Sequence, residues 1–351
     1  MRDVAIVSVA QTHHRRRVDE LNEVELIQPV IHEALEGAGV TIRDIGFVCS
    51  GSSDYLAGQA FSFVMTLDAV GAWPPIQESH VEMDGAWALY EAWLKIQAGH
   101  ADSALVYSYS KASPGDLPRV LSRQLDPYYY GPLWPDSVAL AGLQAREMID
   151  AGLIDEKEMA QIAHRNRTNA ESNPFAQVKG SAPVDELLAQ PFLSDPLRRH
   201  DAPPISDGGV AVVLAADDVA RRWAERPAWI RGIDHRTDSH QFGSRDLTTS
   251  PSLALAAEKA GATGSFDVAE LHAPFTHQER IATEALGLGA DVDVNPSGGP
   301  LAANPMMAAG LLRLGEVANR IMAGTAGRGV ATATSGHCLQ QNLVAVLEGE
   351  K

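Results

Sequence analysis

A repeated alternation of short apolar runs and helical segments constrains this chain more than any other feature. Residues 4–9 read as a buried strand. Residues 22–38 follow with helical spacing of Val24, Leu26, Ile27, Val30, Ile31 and Leu35, closed by Gly37 and Gly39. A strand at 47–50, a strongly apolar helix at 86–98 and a strand at 104–110 come next. A further apolar run, 210–215, is entered through the turn Ser206-Asp207-Gly208-Gly209. The rhythm then returns: strand 228–233, helix 250–260, strand 268–272, helix 278–286, long helix 306–323, and closing strands at 329–334 and 343–348. Such alternation predicts α/β layers around largely buried sheets, with a duplication. The two similar halves, 1–220 and 221–351, meet at a charged connector carrying Asp217, Asp218, Arg221, Arg222, Glu225 and Arg226. Residues 111–204, rich in proline, read as an irregular insertion that covers a site or forms an interface.

With 45% hydrophobic and 21% charged residues, the 351-residue chain can bury a large core. Its net charge of -17 argues against nucleic-acid binding and gives no reason for membrane-surface attachment. No apolar stretch is long enough to span a bilayer. The N-terminus runs directly into a β-like segment without a signal-peptide core, and Cys49 and Cys338 make no disulfide framework. The expected location is the cytoplasm. The basic cluster His13–Arg17 is either a solvated loop or a contact for a phosphate-bearing ligand. Tyr128-Tyr129-Tyr130 packs at a subunit interface or walls a large apolar ligand group. Cys49 is expected in the core and His277 on the surface of a helix.

Four motifs, in order along nearly the whole chain, resemble the thiolase superfamily, and most of all its lipid-transfer or sterol-carrier branch. They are His164-Arg165-Asn166-Arg167 running to Asn173-Pro174, Ile205-Ser206-Asp207-Gly208-Gly209, Glu270-Leu271-His272-Ala273-Pro274-Phe275, and Val294-Asn295-Pro296-Ser297-Gly298-Gly299. The branch includes acyl-CoA thiolases and actinobacterial steroid side-chain aldolases. The resemblance implies a thiolase-like fold: two α/β halves forming a five-layer α/β/α/β/α core. It also implies a catalytic Cys at a buried helix N-terminus, where the dipole favours the thiolate, and a catalytic His in a G-H-P triplet. This chain departs at both points. Gly85 falls in the Cys slot, beside Asp84, which reads as a helix N-cap. Ala303-Asn304-Pro305 replaces G-H-P.

Without that Cys and His, two-step thiolysis is closed and acid/base chemistry remains. The resemblance then implies retro-aldol cleavage of a β-hydroxyacyl-CoA with a bulky, steroid-like acyl group. CoA would be part of the substrate, with no separate cofactor and no metal. His272, at a strand end, is either an acid/base group or a structural His. His337 and Cys338, between the last two strands, form either an acid/base pair or a packing element. Asn304 can donate to a thioester oxygen. Ser297, Gly298, Gly299 and Gly85 are candidates to line the ligand channel. The alternative is a non-catalytic subunit that scaffolds an active thiolase or a small OB-fold/zinc-ribbon partner that binds acyl-CoA. The expected assembly is a homodimer or a heteromer with a second thiolase-like chain.

Overall fold

The computed structural model describes residues 2–71 and 75–350. The strands, in chain order, are β1 (Val4–Gln11), β2 (Phe47–Gly51), β3 (Glu78–Val81), β4 (Ser103–Ser110), β5 (Phe192–Ser194), β6 (Leu197–Arg198), β7 (Gly208–Ala216), β8 (Ala228–Thr237), β9 (Val268–Glu270), β10 (Asp293–Val294), β11 (Arg328–Ser335) and β12 (Gln341–Glu348). Strands β5 and β6 form a separate hairpin. The other ten run in the order β10-β9-β11-β12-β8-β1-β7-β4-β2-β3.

Read outward from the middle, each half has the same plan: first strand, last, fourth, second, third. In the first half β2 is parallel to β3 and β4, whereas β7 is antiparallel to β4 and β1. In the second, β9 is parallel to β10 and β11, and β12 is antiparallel to β11 and β8. The equivalent strands β1 and β8 join the halves antiparallel, through the pairs Ala5↔Trp229 and Ile6↔Ala228. The duplication inferred from periodicity is thus a duplication of topology.

Two helices fill the space between the halves, Gly85–Gln97 and Ala309–Met322. One core cluster takes Ile6, Val106 and Val212 from the first half and Val268, Ala331 and Ala345 from the second. Leu89, Ala92, Leu314 and Val317 of the two helices complete it. The outer face of the first half packs on the helix Glu23–Gly37, whose start is fixed by a capping box between Asn22 and Glu25. The outer face of the second packs on helices Pro251–Lys259 and Thr276–Ala285. The result is the five-layer α/β/α/β/α arrangement.

Residues 111–204 are not irregular. They hold helices Leu117–Ser122, Ser137–Asp150, Glu156–Asn169 and Val184–Leu188, besides the hairpin. Pro118 and Pro183 stand at helix starts, where they punctuate helices without breaking them, and no proline falls beyond the first turn of an α-helix of this segment. Ala141, Met148, Met159 and Ile162 pack onto Phe275, Ile281 and Leu301, so this segment roofs the end of the second half. Among the described residues, no helix is long and apolar enough to cross a membrane.

Candidate active site

Position 85, where the resemblance places the nucleophile, is closed by packing. Gly85 opens the first central helix, and a Cβ built on it would lie 2.6 Å from Ser108 Cβ and 2.8 Å from Leu311 Cδ2. Its amide donates to Met307 O at 2.7 Å, and Ser108 Oγ donates to the same carbonyl. Gly85 therefore lines no channel: the volume that a side chain would need is filled by the other half's helix.

Asp84, beside it, does more than cap its own helix. Its carboxylate accepts from Ala86 N at 2.8 Å and, across the halves, from Gly310 N at 2.8 Å and Leu311 N at 3.0 Å. One side chain thus caps both central helices, whose N-termini converge on it. Burial pushes its pKa up to about 6, while the three amide bonds pull the other way.

The loop of residues 295–305 is held by buried polar groups. Asn295 adopts φ +50. Its Oδ1 accepts from Leu271 N at 2.7 Å, and its Nδ2 donates to Glu279 at 2.8 Å. Ser297 donates through both N and Oγ to Glu270, which is fully buried and paired with Arg313 at 2.7 Å. Burial raises the Glu270 pKa against the pull of Arg313. Gly298 and Gly299 have φ +94 and +58. A Cβ on Gly298 would meet Ala170 and Ala302, each at 2.6 Å. The amides expected to face a ligand are spent inside: Gly298 N donates to Asn295 O and Gly299 N to Ser297 Oγ. Ser297, Gly298 and Gly299 shape the loop that presents Asn304, and all three are buried.

His272 and Asn304 come together. Thr334 N donates to His272 Nδ1 at 3.1 Å, so Nδ1 carries the lone pair and Nε2 the proton. His272 Nε2 lies 3.3 Å from Asn304 Oδ1, which fixes the amide orientation with Nδ2 turned away from the imidazole. Asn304 N donates to Ser206 Oγ at 3.0 Å, which anchors the backbone. Asn304 Nδ2 has no hydrogen-bond partner among the described residues. Burial, with the nearby Arg313 charge, holds the His272 pKa down at about 3. The imidazole is therefore neutral at physiological pH, and its only lone pair is taken. It orients Asn304 and takes up no proton.

No family model matches the sequence. Acetyl-CoA acetyltransferase of Methanothermobacter thermautotrophicus is 28% identical, with 90% of each chain covered. Sterol carrier protein 2 of Gallus gallus is 25% identical over 93% of this chain and 67% of its own. Among solved structures, an Ltp2-ChsH2(DUF35) aldolase superposes with a TM-score of 0.81 at 20% identity, covering 99% of this chain and 98% of that one. Human mitochondrial 3-ketoacyl-CoA thiolase superposes with a TM-score of 0.80 at 14% identity, covering 100% and 99%. The chain has a thiolase-like fold. The motif resemblance and the five-layer fold it implied both hold, and sterol carrier proteins stand among the relatives as the resemblance to that branch implied.

The remaining candidates lie apart from the His272–Asn304 pair. Cys338 packs with Leu125, Leu140 and Leu247, its Sγ 3.5 Å from Leu140 O, and burial pushes its pKa up to about 12. It stays a thiol. His337, held down at about 4 by burial, tilts against Phe242. Arg245 binds the carbonyls of both residues, at 3.1 and 3.2 Å, and so fixes the turn. His277 is not on the surface. It is fully buried, with Nε2 3.2 Å from Gln144 Oε1, because the 111–204 segment covers its helix. Cys49 is in the core. Tyr128 and Tyr129 are exposed, and Arg15 and Arg17 pair with Glu20 and Asp19 on the surface. Among the described residues, no group of three or more His, Cys, Asp or Glu is placed to hold a metal ion.

Two contributors escaped the sequence reading. Thr334 acts through its backbone amide, which leaves no trace in residue type. The Glu270–Arg313 pair did leave one: a charge inside an apolar strand and another inside an apolar helix.

Proposed function

We propose that the chain binds a CoA thioester with a bulky, steroid-like acyl group and cleaves it by a retro-aldol step, as a carbon–carbon lyase without a covalent intermediate. The observation that carries this reading is the Thr334–His272–Asn304 relay beside a filled nucleophile slot. It leaves one oriented amide donor and no cysteine in the nucleophile position.

In that step a base takes the β-hydroxyl proton, and the oxygen electrons form the carbonyl of the leaving ketone or aldehyde. The Cα–Cβ bond breaks, its electron pair enters the thioester enolate, and a proton then returns to Cα. Asn304 Nδ2 donates to the enolate oxygen, and His272 positions it. His272 is not the base in this reading, since its lone pair is occupied. CoA thioesters recur in the names of the relatives, and an aldolase stands among the structural neighbours. That neighbour was solved as Ltp2-ChsH2(DUF35), which supports a partner protein here; we take that partner to be a small OB-fold/zinc-ribbon protein, on a homodimer or heteromer, in the cytoplasm.

Incubating the protein, with any co-purifying partner, with a steroid-side-chain β-hydroxyacyl-CoA tests the reading. A carbonyl product and a shortened acyl-CoA are expected, and Asn304→Ala should lower kcat/KM by about 10²–10³-fold. Unchanged turnover in that variant would remove Asn304 from the site. A second reading, a non-catalytic subunit, is favoured by one observation: the cleft lined by Met306 and Met307, just after the loop of residues 295–305, measures only about 10 Å³. In that case an active thiolase-like chain co-purifies, and both His272→Ala and Asn304→Ala leave the complex fully active.

A further inference from the structure

We infer that the cleft lined by Ser53, Ser110, Lys111, Met306 and Met307 receives the β-oxygen of the acyl chain, with Ser110 Oγ as its hydrogen-bond partner. This rests on the CoA-thioester reading above and names the group that would recognise its β-hydroxyl.

Ser110 ends β4 and is 4% exposed, yet its Oγ has no hydrogen-bond partner among the described residues. Neighbouring serines behave differently. Ser52 Oγ pairs with Ser62 Oγ at 3.1 Å, Ser108 Oγ donates to Gly51 O at 2.6 Å, and Ser113 Oγ donates to Asp207 at 2.6 Å. A buried hydroxyl without a partner costs stability, and a small apolar side chain would remove the cost. Such a group calls for a partner from outside the chain, a water or a ligand atom.

The location agrees. Met307, in the cleft wall, accepts from Gly85 N, so the cleft adjoins the filled nucleophile slot. Met306 is two residues from Asn304, a step of at most about 7 Å between Cα atoms. In a β-hydroxyacyl thioester, a single carbon, Cα, separates the thioester carbonyl from the carbon bearing the β-oxygen. A substrate held at Asn304 through its thioester oxygen therefore has its β-oxygen at the scale of that step. The cleft's volume of about 10 Å³ suits one oxygen atom in place of one water. Lys111 and Glu23 stand at its rim, with Lys111 Nζ already donating to Leu21 O.

Isothermal titration of 3-hydroxyoctanoyl-CoA and octanoyl-CoA into the wild type and Ser110→Ala tests this, with a ligand-free thermal melt of each protein. The wild type should bind the hydroxy ester at least about tenfold more tightly, as expected when an unpaired buried donor finds its partner. Ser110→Ala should lose that preference while melting at the same or a higher temperature. Equal binding of the two esters by the wild type, a preference that survives Ser110→Ala, or a lower melting temperature in the variant overturns the assignment of Ser110. Failure of the wild type to bind either ester overturns the CoA reading itself, and this assignment with it.

Discussion

Gly85 shows how a missing side chain is held missing. In a duplicated fold whose central helices touch, the volume at a helix N-terminus belongs to whichever half fills it. Here Leu311 and Ser108 have filled it. Restoring the nucleophile by Gly85→Cys therefore overpacks the centre of the molecule and should cost about 1–3 kcal/mol. Urea unfolding reads the cost, and thiolysis of acetoacetyl-CoA should remain undetectable. A variant as stable as the wild type that acquires thiolase activity would show that the slot opens easily and would undo the steric argument. The sequence made the empty slot visible through its helix-start pattern. It could not show the occupant, because Leu311 is far away in the chain and only folding brings it there.

At the scale of elements, Asp84 ties the two central helices into a unit. An ordinary N-cap satisfies amides of its own helix, whereas this one also serves the amides of residues 310 and 311. Asp84→Ala leaves three buried donors without a partner and should cost about 2–4 kcal/mol, more than the roughly 1 kcal/mol typical of a single cap. The urea midpoint should fall with an unchanged slope, and a loss no greater than that of a single cap would mean that the second helix finds other acceptors. The first half of this role was legible, since Asp ahead of an apolar helix is a local signal. The second half was not, because it depends on helix–helix geometry. The same division runs through the site. The residues 295–305 loop was legible from its glycines and prolines, but its amides proved to be spent on Asn295, Ser297 and Glu270. Glu270 and Arg313, 43 residues apart, meet only because strand and helix pack in register. Two helices of residues 111–204 are short, and the two 14-residue ones bury mostly small or polar residues such as Ala141, Gly142, Gln144, Ala160 and Asn166, so periodicity had little contrast in which to show.

Across the whole molecule, burial has placed many histidines where they cannot be charged. The duplicated strand order was readable from rhythm alone. The roofing of the second half was not, and it is this roof that buries His277. His14, His272 and His277 are held down at about 3, and His200 and His337 at about 4, in each case chiefly by burial. Each is neutral in the folded chain but protonates near 6.5 once unfolded, so each withdraws stability as pH falls below about 6.5 and continues to do so down to its folded value. Asp84 and Asp201 work in the opposite sense. Burial raises both to about 6, so the folded chain takes up those protons first and gains stability between about 6 and the ordinary carboxylate range. Glu270 shifts in the same direction. The five histidines outweigh these carboxylates and leave a net loss on acidification, on the order of a few kcal/mol per pH unit between pH 6 and 5. Urea midpoints at a series of pH values should therefore fall from pH 7 to pH 5. His277→Gln, which keeps a donor toward Gln144 but has no titrating group, should reduce the steepness of that fall by about 1.4 kcal/mol per pH unit. A midpoint that rises on acidification, or a slope that His277→Gln leaves unchanged, would show that the buried histidines are protonated in the folded chain. The neutral state assigned to His272 on the same physical grounds would then have to be given up.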